Sequence, residues 1–454
     1  MAKKHIDTEW LAGQISVRTT RGIATRTTNL IANGQLELGA KLPPLRELAY
    51  VMKVSPATLS NAWKELRKLR VITGKGRNGS WISGVRTSPG PSRFLNAHPS
   101  RMGQVGNYDN NTIDLSWSVP DPDLLPSLEK AMQHGIKVAN LNSYDREKIL
   151  PELREAVEAR WPYKPEGFLV TNGGYSAIHA ILHALYFAGA KIAVEDPTPM
   201  RILDIIEDMG VEPVPVACDE NGPIPDALEE ALMQEPQAFF YQPRLHSILG
   251  AKMTSQRSKS LAKILENSKI MIIEDDGLGD ISSLPPLSLG KYFPDRVVHI
   301  LSFSKALGPD LRVAVLSAPL SIISKIQSFR AFSSGWTSRI MQSATAWLLK
   351  DEATFKELEK AREIYKQRRE SLYQAFDQYG VNAFRSRGEG FSIWLPVLDE
   401  QFAMITLASR RIAVLPGSKC SVYRTQALRI STSNLVDNYD YVAQAVRLAL
   451  KLSD

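Results

Sequence analysis

The sequence predicts a two-part α/β chain: a small basic helix-turn-helix unit at the amino end, then a large doubly wound domain that closes in a smaller α+β subdomain. Three observations carry this. Positive charge is concentrated in the first fifth of the chain. Short, wholly apolar runs alternate with amphipathic stretches from residue 113 onward. A segment rich in Pro, Gly, Ser and Asn, without hydrophobic period, separates the two. At 454 residues the chain exceeds one ordinary domain and is long enough to bury a large core.

The formal net charge is +7, but residues 1–86 hold fifteen Lys or Arg against five Asp or Glu, a balance of +10 that leaves −3 for the rest. Charge placed this way is the footprint of a nucleic-acid-binding module rather than of a general affinity for polyanions. Cys218 and Cys420 are the only cysteines, and neither has metal-ligand spacing around it. Both read as packing residues, so no disulfide framework and no metal site is expected, and a reducing cytosol is the default. The start, Met1-Ala2-Lys3-Lys4-His5, has no apolar signal core. The most apolar long stretch, Ala177 to Val194, is interrupted by His179, His183, Gly189 and Lys191. It predicts a buried helix followed by a strand, not a membrane span, and a cytoplasmic protein is expected.

Residues 1–84 form the first expected unit. Leu45, Leu48, Ala49 and Met52 mark one apolar helix face, and Leu59, Ala62, Trp63 and Leu66 a second. Ser55 before Pro56 is an N-cap followed by proline at the first helical position, which fixes where the second helix begins. That helix presents Pro56, Ala57, Thr58, Ser60 and Asn61 at its amino end, where a recognition helix meets base edges. Gly74-Lys-Gly-Arg-Asn-Gly79 then separates Val71–Thr73 from Ser80–Ser83 as the tip of a β-ribbon, a wing that brings Lys75 and Arg77 to phosphate or a minor groove. The bland alternative is that such charges only solubilise a helix.

Residues 85–112 are the expected linker, kept extended by proline. After it, Phe168–Thr171, Lys191–Glu195, Ala238–Tyr241, Ile270–Glu274, Val297–Leu301 and Val313–Leu316 read as strands of a mostly parallel sheet covered on both faces. Ligands in such folds bind beyond the carboxyl ends of the strands. A long charged helix near Glu352–Tyr379, with short strands at Gly390–Leu395 and Ala427–Ile430, makes the closing subdomain.

One constellation within residues 113–454 points to pyridoxal 5'-phosphate (PLP). Lys305 lies just past a strand end, with Ser302, Ser304 and Arg312 around it; a Schiff-base lysine needs such hydroxyls and an arginine for the coenzyme phosphate. Ser-x-x-Lys alone is weak. Its weight comes from two further strand ends. Glu274-Asp275-Asp276 offers a carboxylate to keep a pyridine nitrogen protonated, and Thr171-Asn-Gly-Gly-Tyr-Ser-Ala177 offers backbone N–H groups at a helix start for phosphate. Separately, the acid cluster is an ordinary cap and the Gly-Gly pair an ordinary turn.

The amino-terminal unit resembles the winged-helix domain of the GntR family of bacterial transcription regulators, on Ile31–Gly34, Leu42-Pro-Pro-Leu-Arg-Glu-Leu-Ala49, Val54-Ser-Pro-Ala-Thr58 and the wing. The remainder resembles fold-type I aminotransferases, in the GntR-fused branch called the MocR family. The matches are Ile113-Asp-Leu-Ser116, Pro120-Asp-Pro122, Tyr144, Leu150-Pro-Glu-Leu-Arg154, Glu195-Asp-Pro197, Leu415-Pro-Gly-Ser418 and Ala427-Leu-Arg-Ile430. The resemblance implies that Arg46 contacts DNA and that Thr58 and Ser60 face the groove. It further implies that Lys305 is the Schiff-base lysine and that Asp275 pairs with the pyridine nitrogen. Gly174, Tyr175, Ser302, Ser304 and Arg312 would hold the phosphate, Tyr144 would reach the phosphate bound by a second copy in a homodimer, and Arg429 would hold the carboxylate of an amino-acid-like effector.

Three departures stand out: Ser247-Ile-Leu-Gly250 where the family has Asn-Pro-Thr-Gly, Gly277 where it has tyrosine, and no aromatic residue in Glu195-Asp-Pro-Thr-Pro199. The first two remove the usual hydrogen bonds to the coenzyme's phenolic oxygen, leaving Ser247 at a cofactor-binding position, with His246 or Tyr241 as candidate substitutes. The expectation is a regulator that binds operator DNA and senses PLP, an amino acid or an amine, with little turnover. The alternatives are a working aminotransferase with an accessory DNA-binding domain, and a structural DNA-binding protein with a dead enzyme fold.

Overall fold

The computed structural model describes residues 6–32, 35–37, 39–68, 71–74, 79–83, 93, 111–145, 147–385, 389–423 and 425–450. The chain divides into two compact units, Met1–Gly90 and Pro91–Asp454, and the division falls inside the stretch read as a linker. Lys75 and Arg77 lie outside the described residues.

In the first unit the helices Leu45–Val51 and Pro56–Lys68 are the expected pair. Leu48, Ala49, Met52, Leu59, Ala62, Trp63 and Leu66 are buried in one core, whereas Leu45 is only partly covered. The turn between the helices uses Lys53 in a left-handed conformation, φ 52°. Ser55 Oγ accepts the Thr58 N–H at 3.0 Å, so the cap forms as the Ser-Pro pair foretold. Strands β1, Ile72–Thr73, and β2, Trp81–Ile82, pair antiparallel as the ribbon. Two further helices, Thr8–Gln14 and Thr20–Ala32, complete the core through Leu11, Ile23 and Leu30. Thr8–Gln14 is only two turns long and Thr20–Ala32 carries four threonines of low helical preference, which is why periodicity did not single them out; packing supplies the stability.

The second unit begins its regular structure with β3, Ile113–Leu115. The large sheet follows from β4 Gly167–Thr171, β5 Lys191–Asp196, β6 Glu212–Asp219, β7 Gly222–Pro223, β8 Ala238–Tyr241, β9 Met271–Asp276, β10 Val297–Ser302 and β11 Ala314–Ala318. Its order is β4-β11-β10-β9-β8-β5-β6-β7. Strands β10, β9, β8, β5 and β6 run parallel, while β11 is antiparallel to both of its neighbours. Because β11 reverses direction once on each side, β4 points the same way as β10. The carboxyl ends of β4, β5, β8, β9 and β10 therefore open on one edge. β6 escaped the sequence reading because Pro213 and Pro215 cannot donate to a ladder, and prolines suit a strand near the sheet margin.

The closing subdomain is a second sheet, ordered β12 Ser392–Pro396, β14 Ala427–Ser431, β13 Ile412–Pro416 and β3. Here β3 adds parallel to β13, so the first strand after residue 112 belongs to the end of the chain, not to the large sheet. The helix Glu352–Gln378 leads into this layer. Among the described residues no helix is long and apolar enough to cross a membrane.

Candidate functional site

The strand ends converge on a cavity of about 220 Å³. Lys305, Asp275, Gly174, Tyr175, Ser302, Ser304, Arg312 and Ser247, separated by up to 138 positions but chosen from sequence alone, all line it. Gln242, Arg201, Ile178, Leu278, Pro199 and Pro309 line it too and were not foreseen. Gln242 had a usable signal, since it is the first residue beyond β8 and strand carboxyl ends are where such ligands bind.

Strand alternation decides which acid serves the cavity. Glu274 and Asp276 project to the face opposite Asp275. Glu274 is consumed by Tyr241 Oη at 2.6 Å, the Leu289 N–H at 2.6 Å and His299 Nδ1 at 2.7 Å. Asp276 is consumed by Arg244, 2.7 Å from its guanidinium. Asp275 is left to the cavity, where burial, then the charges of Asp276 and Glu195, push its carboxyl up to about 7. A cationic pyridine nitrogen beside it would reverse that shift.

The predicted phosphate cradle is built from glycine and one arginine in the left-handed region. Gly173 has φ 93° and precedes the helix Gly174–Leu185, whose first N–H groups point outward. Arg312 adopts the left-handed region at φ 50° and donates from Nη2 to the Asn172 carbonyl at 3.0 Å. A Cβ on Gly173 would stand 3.0 Å from that Nη2. Gly173→Ala is therefore expected to cost about 1–3 kcal/mol of local strain. If that strain falls on the cradle, PLP retention weakens roughly ten- to hundred-fold, measured by absorbance titration.

Lys305 Nζ donates to the Ser118 carbonyl at 2.8 Å, and burial, then Arg429, lower its pKa to about 8. Arg429 is 7% exposed and donates through Nη2 to the Ser116 carbonyl, while its buried Nε has no hydrogen-bond partner among the described residues. Ser247 Oγ, also buried and on the cavity wall, is unpartnered in the same sense. An acid seeking a cation, an amine held near neutrality, an anion cradle and two orphaned donors fit PLP carrying an amino-acid carboxylate.

The substitutes considered for the phenolic-oxygen donors do not serve. Tyr241 is stacked on Phe239 and spends its hydroxyl on Glu274. His246 does not line the cavity, and its Nδ1 accepts the Ile248 and Leu249 N–H groups at 3.2 and 3.1 Å. The tautomer this requires puts its proton on Nε2. His246 therefore also offers no lone pair there to an ion, although Glu195, Cys218 and His246 lie close together. Gln242 is the residue that arrives instead: its Oε1 accepts the Ser247 N–H at 2.9 Å, and its amide nitrogen donates to buried Glu195, leaving a second amide hydrogen. Of the segment that lacks the aromatic residue, Pro199 lines the cavity, and Arg201 beyond it lies over the Tyr175 ring at 4.4 Å.

Tyr144 is apart from the cavity and 83% exposed, edge-on to Trp336. In the first unit Arg46, Ser55 and Asn61 are exposed and Thr58 and Ser60 half-buried.

Residues 110–446 match the model of the aminotransferase class I and II family, and residues 19–82 that of the bacterial regulatory proteins of the gntR family. The chain is 31% identical over 432 residues to the vitamin B6 salvage pathway transcriptional repressor PtsJ of Salmonella typhimurium, covering 93% of this chain and 96% of that one. It is 28% identical to the uncharacterized HTH-type transcriptional regulator YcxD of Bacillus subtilis, over 81% of each. In fold, the chain is similar to the kynurenine aminotransferase of Pyrococcus horikoshii, with a TM-score of 0.71 at 20% identity over 81% of this chain and 96% of that one.

Proposed function

Because the chain belongs to the class I and II aminotransferase family and carries a gntR-family regulatory domain in the MocR arrangement, we propose that it is a PLP-binding transcription regulator whose cavity senses the coenzyme, alone or joined to an amine or amino acid. The observation that carries the reading is the meeting of Lys305, Asp275 and the Gly173–Arg312 cradle in one cavity of a chain that also holds an exposed recognition-helix start. When bound, PLP supplies a carbonyl that condenses with amines. Lys305 offers a partly neutral amine to it, Asp275 holds a proton at the ring nitrogen, and Arg312 with the serines holds the phosphate. Arg429 turns its unpartnered Nε to a carboxylate. With Ser247 and Gly277 in place of an amide and a phenol, the ring keeps only the spare amide hydrogen of Gln242 and the Ser247 hydroxyl as donors, an altered tuning that favours sensing over transamination.

A dimer accords with the large apolar side chains left in water, Phe332 at 95% exposure and Tyr144 among them. Two such chains would address paired operator half-sites.

The test is fluorescence anisotropy of the full chain on its own promoter fragment across salt, with and without PLP and a panel of amines and amino acids. Retention is expected to fall steeply with salt and to respond to ligand. Arg46→Ala should weaken binding and flatten the salt slope by about one. An unchanged slope would remove Arg46 from the interface, and rapid half-transamination of common amino acids would favour the working aminotransferase.

A further inference from the structure

Arg93 stands between the DNA-binding unit and the start of β3, and it is held firmly. Its backbone N–H donates to Asp204 Oδ1 at 2.9 Å. Its Nη1 donates to the carbonyls of Ser421, Lys419 and Ser418 at 2.9, 3.3 and 3.4 Å, and its Nη2 pairs with the Glu207 carboxylate. The side chain is 18% exposed, and Asp204 is buried at 6%. A guanidinium bridging a carboxylate and a cluster of carbonyls is a directional tie, stronger than a surface ion pair.

What makes the tie informative is which pieces it joins. Asp204 and Glu207 lie on the helix Met200–Asp208, whose first turn carries Arg201 into the cavity wall. The carbonyls belong to the turn that follows β13, and Leu415 of β13 is the register partner of Arg429. The same turn is stitched to the carboxyl end of β5, because Thr198 donates to the Cys420 carbonyl at 2.7 Å and Val422 to Asp196 Oδ1 at 3.2 Å. Arg93 thus spans the seam between the large sheet's layer and the closing subdomain, with the cavity-lining Arg201 on one side and Arg429, whose charge acts on Lys305, on the other. Packed elements of this kind shift between discrete arrangements rather than deforming continuously.

We propose that Arg93 is the positioning residue through which occupancy of the Lys305 cavity reaches the DNA-binding unit. Movement of the Arg429 layer toward a bound carboxylate displaces the carbonyl cluster relative to the helix Met200–Asp208, and the guanidinium can satisfy both only in one arrangement. Arg93, which follows the DNA-binding unit in sequence, is therefore clamped or released with ligand. This rests on the regulatory reading above, and one experiment separates their failures.

Full-length wild type, Arg93→Ala, Arg93→Lys and Glu207→Gln are compared for PLP binding by absorbance and for promoter-fragment binding by anisotropy, with and without saturating PLP or PLP plus the amino-acid panel. Wild type is expected to show at least about a fivefold ratio between the two DNA affinities, the lower end of ordinary allosteric coupling. Arg93→Ala should hold PLP within twofold of wild type while its DNA ratio collapses to within twofold of one. Arg93→Lys, which keeps the charge but not the fork, and Glu207→Gln should fall between. A wild-type ratio kept in Arg93→Ala overturns the coupling alone. Loss of PLP binding in both Arg93→Ala and Glu207→Gln also overturns it, since Arg93 would then be scaffold of the cavity. Should Arg93→Ala fail to fold, Glu207→Gln decides by the same ratio. A wild-type ratio of one with every ligand overturns the regulatory reading and the coupling with it.

Discussion

Lys305→Ala protein should be colourless after incubation with PLP, whereas wild type should take up the visible absorbance of a lysine-bound coenzyme. Reduction with borohydride followed by peptide mapping should label Lys305 in wild type; label at another lysine would overturn its assignment. The pH dependence follows from the neutral amine being the attacking form. Burial and the nearby Arg429 guanidinium lower the Lys305 pKa from 10.5 to about 8, so the protonated form dominates below that value and the neutral form above it. The rate of attachment in wild type should fall about tenfold for each pH unit below roughly 8 and level off above it. An ordinary surface lysine, as in a dead enzyme fold, would keep rising to about 10. Stopped-flow absorbance between pH 6 and 10 distinguishes the two.

Asp275→Asn should have the next largest effect, and its sign reverses between the free and the loaded protein. In the free chain the folded-state pKa of about 7 lies above the ordinary 3.8. The folded chain therefore holds a proton that the unfolded chain releases in that window, and stability falls as pH rises from about 4 to about 7. Above that window the buried carboxylate costs up to roughly 4 kcal/mol, because each tenfold gain in proton affinity on folding is worth about 1.4 kcal/mol. Asparagine carries no such cost, so the free Asp275→Asn protein should resist urea better than wild type at pH 8 and about equally at pH 4. With PLP the order inverts at pH 8, because the carboxylate gains its cation and asparagine does not. A variant less stable than wild type at pH 8 without ligand would show that Asp275 is already paired within the chain.

The strands that form the cavity edge were legible because each is apolar on both faces, a requirement of a sheet covered twice, and because Lys305, Asp275 and Gly174 follow such runs directly. What could not be read belongs to packing and to register. The helices Thr8–Gln14 and Thr20–Ala32 fold on tertiary contacts that their short or threonine-rich sequences do not announce. β3 has no strand signal of its own in sequence, and it pairs with β13 some three hundred residues away. Gln242 enters the cavity because Glu195 and the Ser247 N–H hold its amide from both ends, an arrangement set by the carboxyl end of β5 and the loop after β8. His246 and Tyr241 were reasonable donors by proximity in sequence, and each turns away because a stronger partner claims it: backbone N–H groups for the first, Glu274 for the second.

Ser116 and Ser118 sit two positions apart directly after β3, and their carbonyls are held by Arg429 and Lys305 respectively. The two cations suited to a ligand's carboxylate and its aldehyde thus share one short piece of backbone as their partner within the chain. An aldehyde alone draws away only the lysine, and a carboxylate alone only the arginine. Coenzyme attached to Lys305 together with a separate carboxylate at Arg429 would withdraw both at once, so full release of this piece of backbone would demand the conjunction of the two ligands.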